Sequence, residues 1–195
     1  VIPHVITSSH SAVLVLKKLL GPELAGKVRL KNGGNWDGAV TQTSSRMVNR
    51  LDIALVIGPS KKPSANQREY DKLRVYGFLR HTPLAALLRV FFLRTPPEGL
   101  LFLDPDIIRQ LVGREPTPEQ FARARMRPRK VLAELLEVKP ARVATALRPR
   151  LEKVDLTPLL SSVPDLRRLR KFVGICVRRY EARLAREVED FNKTV

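Results

Sequence analysis

The 195-residue sequence contains one cysteine, Cys176, so no disulfide can form within it. Structural zinc takes about four Cys or His ligands. Cys176, His4, His10 and His81 lack the paired spacing of such sites, and no metal or other cofactor is expected. Aromatic residues reach only 6%, too few for a platform that stacks the successive bases of a single strand. Long apolar runs are also missing. The best candidate, residues 84–93, is broken by Arg89 and is shorter than the roughly 18–20 residues that span a bilayer, so no transmembrane segment is expected.

The groups that do acid–base chemistry are scarce as well. Such work draws on a histidine or paired carboxylates in a shielded place, and the three histidines stand alone. No Gly-x-Ser-x-Gly, zinc-protease or dinucleotide-binding signature occurs. The apolar stretch 52–57 is followed by Gly58, Ser60, Lys61 and Lys62, which suggests a strand leading into a phosphate loop. The second glycine and the Gly-Lys-Ser/Thr ending of that motif are absent. A non-catalytic protein with no small-molecule substrate is therefore expected.

Positive charge is what the chain has in excess. Thirty-six Lys and Arg stand against 19 Asp and Glu, for a net charge of +17. Every stretch contributes: residues 1–60 hold seven basic and three acidic side chains, 61–104 eight and four, 105–150 eleven and five, and 151–195 ten and seven. Charge of one sign on this scale opposes compaction unless a polyanion screens it. Nucleic acid is the commonest such partner, and an anionic membrane surface the next. Hydrophobic residues at 44% are enough for a packed core and exclude a disordered tail.

The expected fold is mainly α, with a small α+β part at the N-terminus and a helical C-terminal two-thirds ending in a long amphipathic helix. Residues 1–58 form the α+β unit. It comprises an extended start at 1–7, a helix over 10–20 capped by Ser8 or Ser9 and stopped by Gly21-Pro22, and a strand over 27–31. A turn at 32–35, a second at Asp37-Gly38, and a buried strand over 52–57 complete it. Residues 59–66 are a basic, Pro-rich linker. Residues 67–195 form a helical domain.

Within that domain the pattern predicts a helix over 67–80 with Tyr70, Leu73, Tyr76 or Gly77, and Phe78 near its apolar face. Thr82-Pro83 opens a helix over 84–94 that is apolar almost all round, with Leu84, Leu87, Leu88, Phe91 and Phe92 in the core. Short helices follow over 106–112, started by Leu103-Asp104-Pro105 and ended by Gly113, from Thr117-Pro118 with Gln120 as a capping-box partner, and near 131–138. The last helix runs from Pro164-Asp165 to about Phe191. Its single apolar stripe is Leu166, Leu169, Val173, Cys176, Tyr180, Leu184, Val188 and Phe191.

Three basic clusters are candidate contacts to phosphate. Arg123, Arg125, Arg127, Arg129 and Lys130 surround Pro128, which prevents one uninterrupted helix. Guanidinium groups bind phosphate bidentately and stack on bases; the alternative is a solvated helix end. Arg142, Arg148 and Arg150 repeat the Arg-Pro-Arg chemistry. Arg167, Arg168, Arg170 and Lys171 begin the last helix, while Glu181, Glu187, Glu189 and Asp190 load its end. This polarity runs against the helix dipole and suggests an external anion. Lys61 and Lys62 join the candidates. Trp36 can stack on a base or pack within its own unit.

The composition resembles that of organellar ribosomal proteins, being strongly basic with short, Pro-broken helices. That resemblance implies a structural, rRNA-binding component of a large ribonucleoprotein, a mitochondrial ribosome first, with neighbouring protein subunits as further partners. A DNA-binding or chromatin-type protein is one alternative, and a basic accessory subunit of a membrane-bound organellar complex another. A chain opening on Val is expected to be a fragment or a processed product. The mitochondrial matrix, or another reducing intracellular compartment, is its expected location.

Overall fold

The computed structural model describes residues 2–47, 52–58, 65–79 and 88–194. The fold is mainly α, with a four-stranded sheet near the N-terminus and a long C-terminal helix. In chain order the first elements are β1 (His4–Thr7), α1 (His10–Ala25), β2 (Arg29–Asn32), α2 (Trp36–Met47), β3 (Ile53–Ile57), α3 (Ala65–Leu79) and β4 (Leu88–Phe92). A 3-10 helix over Pro97–Phe102 follows. Then come α4 (Pro105–Val112), α5 (Pro118–Ala124), α6 (Pro128–Leu135), a 3-10 turn over Pro140–Arg142, α7 (Val143–Lys153), α8 (Thr157–Ser162) and α9 (Pro164–Thr194).

The sheet order is β2-β1-β3-β4 with all strands parallel; Val5 pairs with Leu30 on one side and Ala54 on the other, and Leu55 pairs with Val90. Parallel sheets are covered on both faces, so their central strands read as continuous apolar runs. In β3 all five residues are buried and alternate between two cores. Ile53, Leu55 and Ile57 join Ile6 beneath Ala39, Val40 and Val75 of α2 and α3. Ala54 and Val56 join Val5 in the larger core, which also takes Val15, Leu16 and Leu19 of α1, Val173 of α9 and most of the C-terminal helices.

The expected helix over 84–94 is not formed at its described end, because residues 88–92 are the edge strand β4. An apolar run without clear periodicity suits a strand covered on two faces as well as a buried helix, and aromatic and β-branched residues favour the strand. Phe91 is buried with its ring 6.0 Å from that of Phe172 on α9, whereas Leu88 and Phe92 are half-buried. Leu84 and Leu87 lie outside the described residues, as do Thr82 and Pro83.

Of the expected linker at 59–66, residues 59–64 lie outside the described residues and residues 65 and 66 begin α3; in sequence it stands between β3 and β4. Pairing between those strands ties residues 1–58 to the C-terminal part of the chain. On α3 the buried positions among the described side chains are Asp71 and Val75, while Tyr70, Leu73 and Tyr76 are exposed.

Local punctuation explains the remaining boundaries. Ser9 caps α1 by accepting from the Ala12 N–H at 3.0 Å. Gly21-Pro22 bends α1 instead of stopping it. Gly21 has φ 76°, a left-handed conformation that glycine adopts without penalty, and the helix resumes to Ala25. Asp37 and Gly38 lie in the first turn of α2 and not in a loop. Asp104 caps α4, and Gly113 closes it in the left-handed conformation. Thr117 and Gln120 form the expected capping box. Pro128 does not bend a helix midway; it starts α6, where its missing N–H costs nothing.

This packing makes two predictions about stability. Phe91→Ala removes a ring shared by β4 and α9 and should cost about 3–5 kcal/mol, read by urea denaturation. His4 is buried with no partner for its Nδ1. Burial first, then Arg46, Lys31 and Arg29, lowers its pKa from 6.5 to about 4. Between those values the unfolded chain binds a proton that the folded chain refuses. Stability should fall by up to about 3 kcal/mol as pH drops from 6.5 to 4. In His4→Leu, denaturation at both pH values should show that share of the slope gone.

Candidate anion-binding face

The three basic clusters meet different fates. In the first, Arg123 at the end of α5 forms an ion pair with Glu134 of α6. Arg129 donates from Nε to the Pro140 carbonyl at 3.1 Å. Both side chains thereby link helices. Arg125, Arg127 and Lys130 are exposed. Arg114, which the charge pattern did not single out, donates to the Glu134 and Leu135 carbonyls at 3.3 and 3.4 Å and so neutralises the C-terminal end of α6.

In the second cluster, Arg150 donates to the Leu111 carbonyl at the end of α4, 2.9 Å away, while Arg142 is exposed. Arg148 faces a concavity of about 500 Å³ whose wall also includes Lys17, Lys18 and Gly21 of α1 and Glu152 of α7. The Lys18 ammonium donates to the Glu152 carbonyl at 3.0 Å.

The third cluster builds the most basic surface. A second concavity, about 570 Å³, lies between α1, α8 and α9. Arg167, Arg170, Lys171 and Arg178 line it with Thr157 and Ser161; Glu23 is its one carboxylate. Residues 167, 171, 174 and 178 recur at helical spacing and so share one face of α9. Gly174 sits in the middle of that face, buried, with the Arg178 guanidinium close enough that a Cβ there would meet it at 3.7 Å. Arg168 points elsewhere and pairs with Asp165 at 3.4 Å. Arg167, Arg170, Lys171 and Arg178 form no ion pair among the described residues.

The bend in α1 joins the two concavities. Gly21 and Pro22 line the first, and Glu23 and Leu24 line the second. A side chain on Gly21 would meet the Arg170 guanidinium at 3.9 Å, so Arg170 reaches to the boundary between them. Arg148 and the α9 cluster, 19 to 30 residues apart in sequence, thus flank one helix bend. Lys17 and Lys18 complete this face. Sequence reasoning missed them because the apolar pattern of α1 dominates; their adjacency to Gly21-Pro22 was the available signal. Lys61 and Lys62 lie outside the described residues.

The carboxyl edge of the sheet is the usual ligand crevice in open parallel sheets whose strand order reverses, as it does here between β1 and β3. In this chain the segment after β4 crosses it. Gly58 lies so close to Pro96 that a Cβ would come within 2.5 Å of its backbone. Beyond it, the buried Glu98 accepts hydrogen bonds from Ser9 and from Ser11, the latter at 2.6 Å. Glu98 thereby anchors the crossing segment to the start of α1.

Trp36 packs beside the smaller core with the Arg74 guanidinium 5.0 Å from its ring centre, and Arg74 pairs with Asp37 at 2.5 Å. Cys176 is buried, and burial, with Asp52 nearby, pushes its thiol up to about 12. Among the described residues no cluster of three or more His, Cys, Asp or Glu could hold a metal, and no helix is long and apolar enough to cross a membrane. Comparison with known protein families, curated proteins and solved structures finds no match for this chain.

The clusters separate by experiment. Arg125→Gln with Arg127→Gln should leave thermal stability within about 0.5 kcal/mol, as exposed substitutions do. Arg123→Gln should cost up to about 1 kcal/mol through removal of the Glu134 pair. Parallel melts of the two variants check the difference.

Proposed function

We propose that the protein is a non-catalytic RNA-binding component of a ribonucleoprotein particle that grips the phosphate backbone with the face around the α1 bend. The observation that carries this reading is the convergence of Arg167, Arg170, Lys171 and Arg178 on one concave surface with a single opposing carboxylate. Cations held close together repel one another, and an anion bound among them relieves that repulsion. The neighbouring concavity adds Lys17, Lys18 and Arg148, so a polyanion running past Gly21 meets two basic footholds in succession.

The net charge of +17 supports a polyanion over a single small anion. The low aromatic content favours contact with backbone and shape over stacking on splayed bases. A structured RNA of a large particle, the ribosome of an organelle first, is the partner to test.

The test is a salt titration of binding to structured RNA beside duplex DNA of equal length. Affinity should fall linearly on a log–log scale, and RNA should bind more tightly. Replacing Arg167, Arg170, Lys171 and Arg178 together by Gln should lower the slope by roughly one unit for each phosphate no longer neutralised, with the melting temperature little changed. A flat salt dependence would remove the polyanion reading. Equal binding of DNA would reduce it to general phosphate affinity. Co-sedimentation with ribosomal particles that disappears on nuclease treatment would support the assignment to such a particle.

A further inference from the structure

The apolar stripe of α9 is covered over only half its length. Leu166, Leu169, Val173, Cys176 and Val177 are buried against the body. Every residue from 181 to 193 is exposed, including Leu184, Val188 and Phe191, the last at 69%. Near the end of the covered part, ion pairs tie the helix to the body, Arg179 with Asp52 at 3.6 Å and Lys27 with Glu181 at 2.7 Å. Beyond them the helix continues for more than three turns and still carries its stripe. At 3.6 residues per turn, Tyr180, Leu184, Val188 and Phe191 fall within about 80° of the circumference. An uncovered seam of this kind costs free energy in water and is suited to a second helix.

The charges beside the stripe indicate which helix. One flank reads Arg179, Arg183, Glu187, Asp190, spaced four, four and three residues apart, with two positive charges followed by two negative. When two helices pair about a two-fold axis perpendicular to both, each flank faces the same flank of its partner, running the opposite way. The positive half then lies opposite the negative half: Arg179 faces Asp190, Arg183 faces Glu187, and Tyr180 packs beside Phe191 across the axis. In a parallel pair this flank would instead face the opposite flank of its partner, where Ala185 and Asn192 offer no charge to Arg183, Glu187 or Asp190. Within one chain Arg179 pairs with Asp52 at 3.6 Å and Arg183 with Glu187 at 3.8 Å; both pairs are long and their arginines are about half exposed, so exchanging them for intermolecular pairs costs little.

We propose that the protein forms a two-fold symmetric dimer through antiparallel pairing of the projecting end of α9, a second copy of the chain being the occupant of the exposed stripe. The seam is short, so the dimer is weak and concentration-dependent. Sedimentation of the nucleic-acid-free chain between about 1 and about 200 µM brackets an interface of this size and should show monomer giving way to dimer. Leu184→Glu with Phe191→Glu should abolish the dimer without lowering the melting temperature, since both residues are exposed.

Orientation is tested by single cysteines. Arg179→Cys and Asp190→Cys should each fail to cross-link alone, because equivalent positions lie about 15 Å or more apart across the axis at 1.5 Å per residue. Mixed under oxidising conditions they should give a disulfide-linked dimer. Native Cys176, buried in the core, stays out of the reaction. A chain that remains monomeric throughout the range overturns the proposal. So does a dimer that survives the double glutamate variant, or one that cross-links through Asp190→Cys alone.

Discussion

The requirement that a parallel sheet be covered on both faces organises this molecule. β1 and β3 are buried from above and below, and no strand edge separates them from the two layers that enclose them. α2 and α3 close one face. On the other, α1 lies over β1 and β2, and α9 over β3 and β4. These two helices are thereby held beside each other, and the remaining C-terminal helices pack on them to extend the same core.

The basic face is a by-product of that arrangement. α1 must bend at Gly21 because the helix meets Pro22, whose ring and missing N–H interrupt the hydrogen-bond ladder. The bend falls where α7 and α8–α9 approach from either side, so a concavity forms on each flank. Cations that lie far apart in sequence then share one surface. Elsewhere the excess charge is absorbed locally: Arg109 pairs with Asp106, Arg123 with Glu134, and Arg150 and Arg114 cap the carbonyl ends of helices. Density of arginine along the chain therefore did not by itself separate the arginines that link helices from those that line the concave face. The run around Pro128 spends Arg123 and Arg129 on holding helices in place.

The end of α9 obeys a different constraint. A helix can continue past the body that supports it when its own backbone hydrogen bonds are complete, but its apolar stripe then meets water. The stripe that runs unbroken from Leu166 to Phe191 in sequence has two surroundings in space: its first half completes the core, and its second half is exposed.

The sequence by itself determined what depends on neighbours within a few residues. Ser9, Asp104 and Thr117 mark helix starts, Gly113 a helix end, the 52–57 run a buried strand, and periodicity the length of α9 to about Phe191. It also determined the mainly α class and the excess of positive charge. Only the tertiary structure decided what depends on who lies opposite. The 88–92 run became a strand because β3 offered an open edge, and that pairing joins residues 53–57 and 88–92 in one sheet. Asp71 and Val75, not Tyr70 and Leu73, turned inward on α3. Lys17, Lys18, Arg148 and the α9 cations gathered around one bend. The physical reason is that capping and periodicity are set by local backbone geometry, whereas strand pairing and charge convergence are set by packing between segments whose separation in sequence carries no signal of their separation in space.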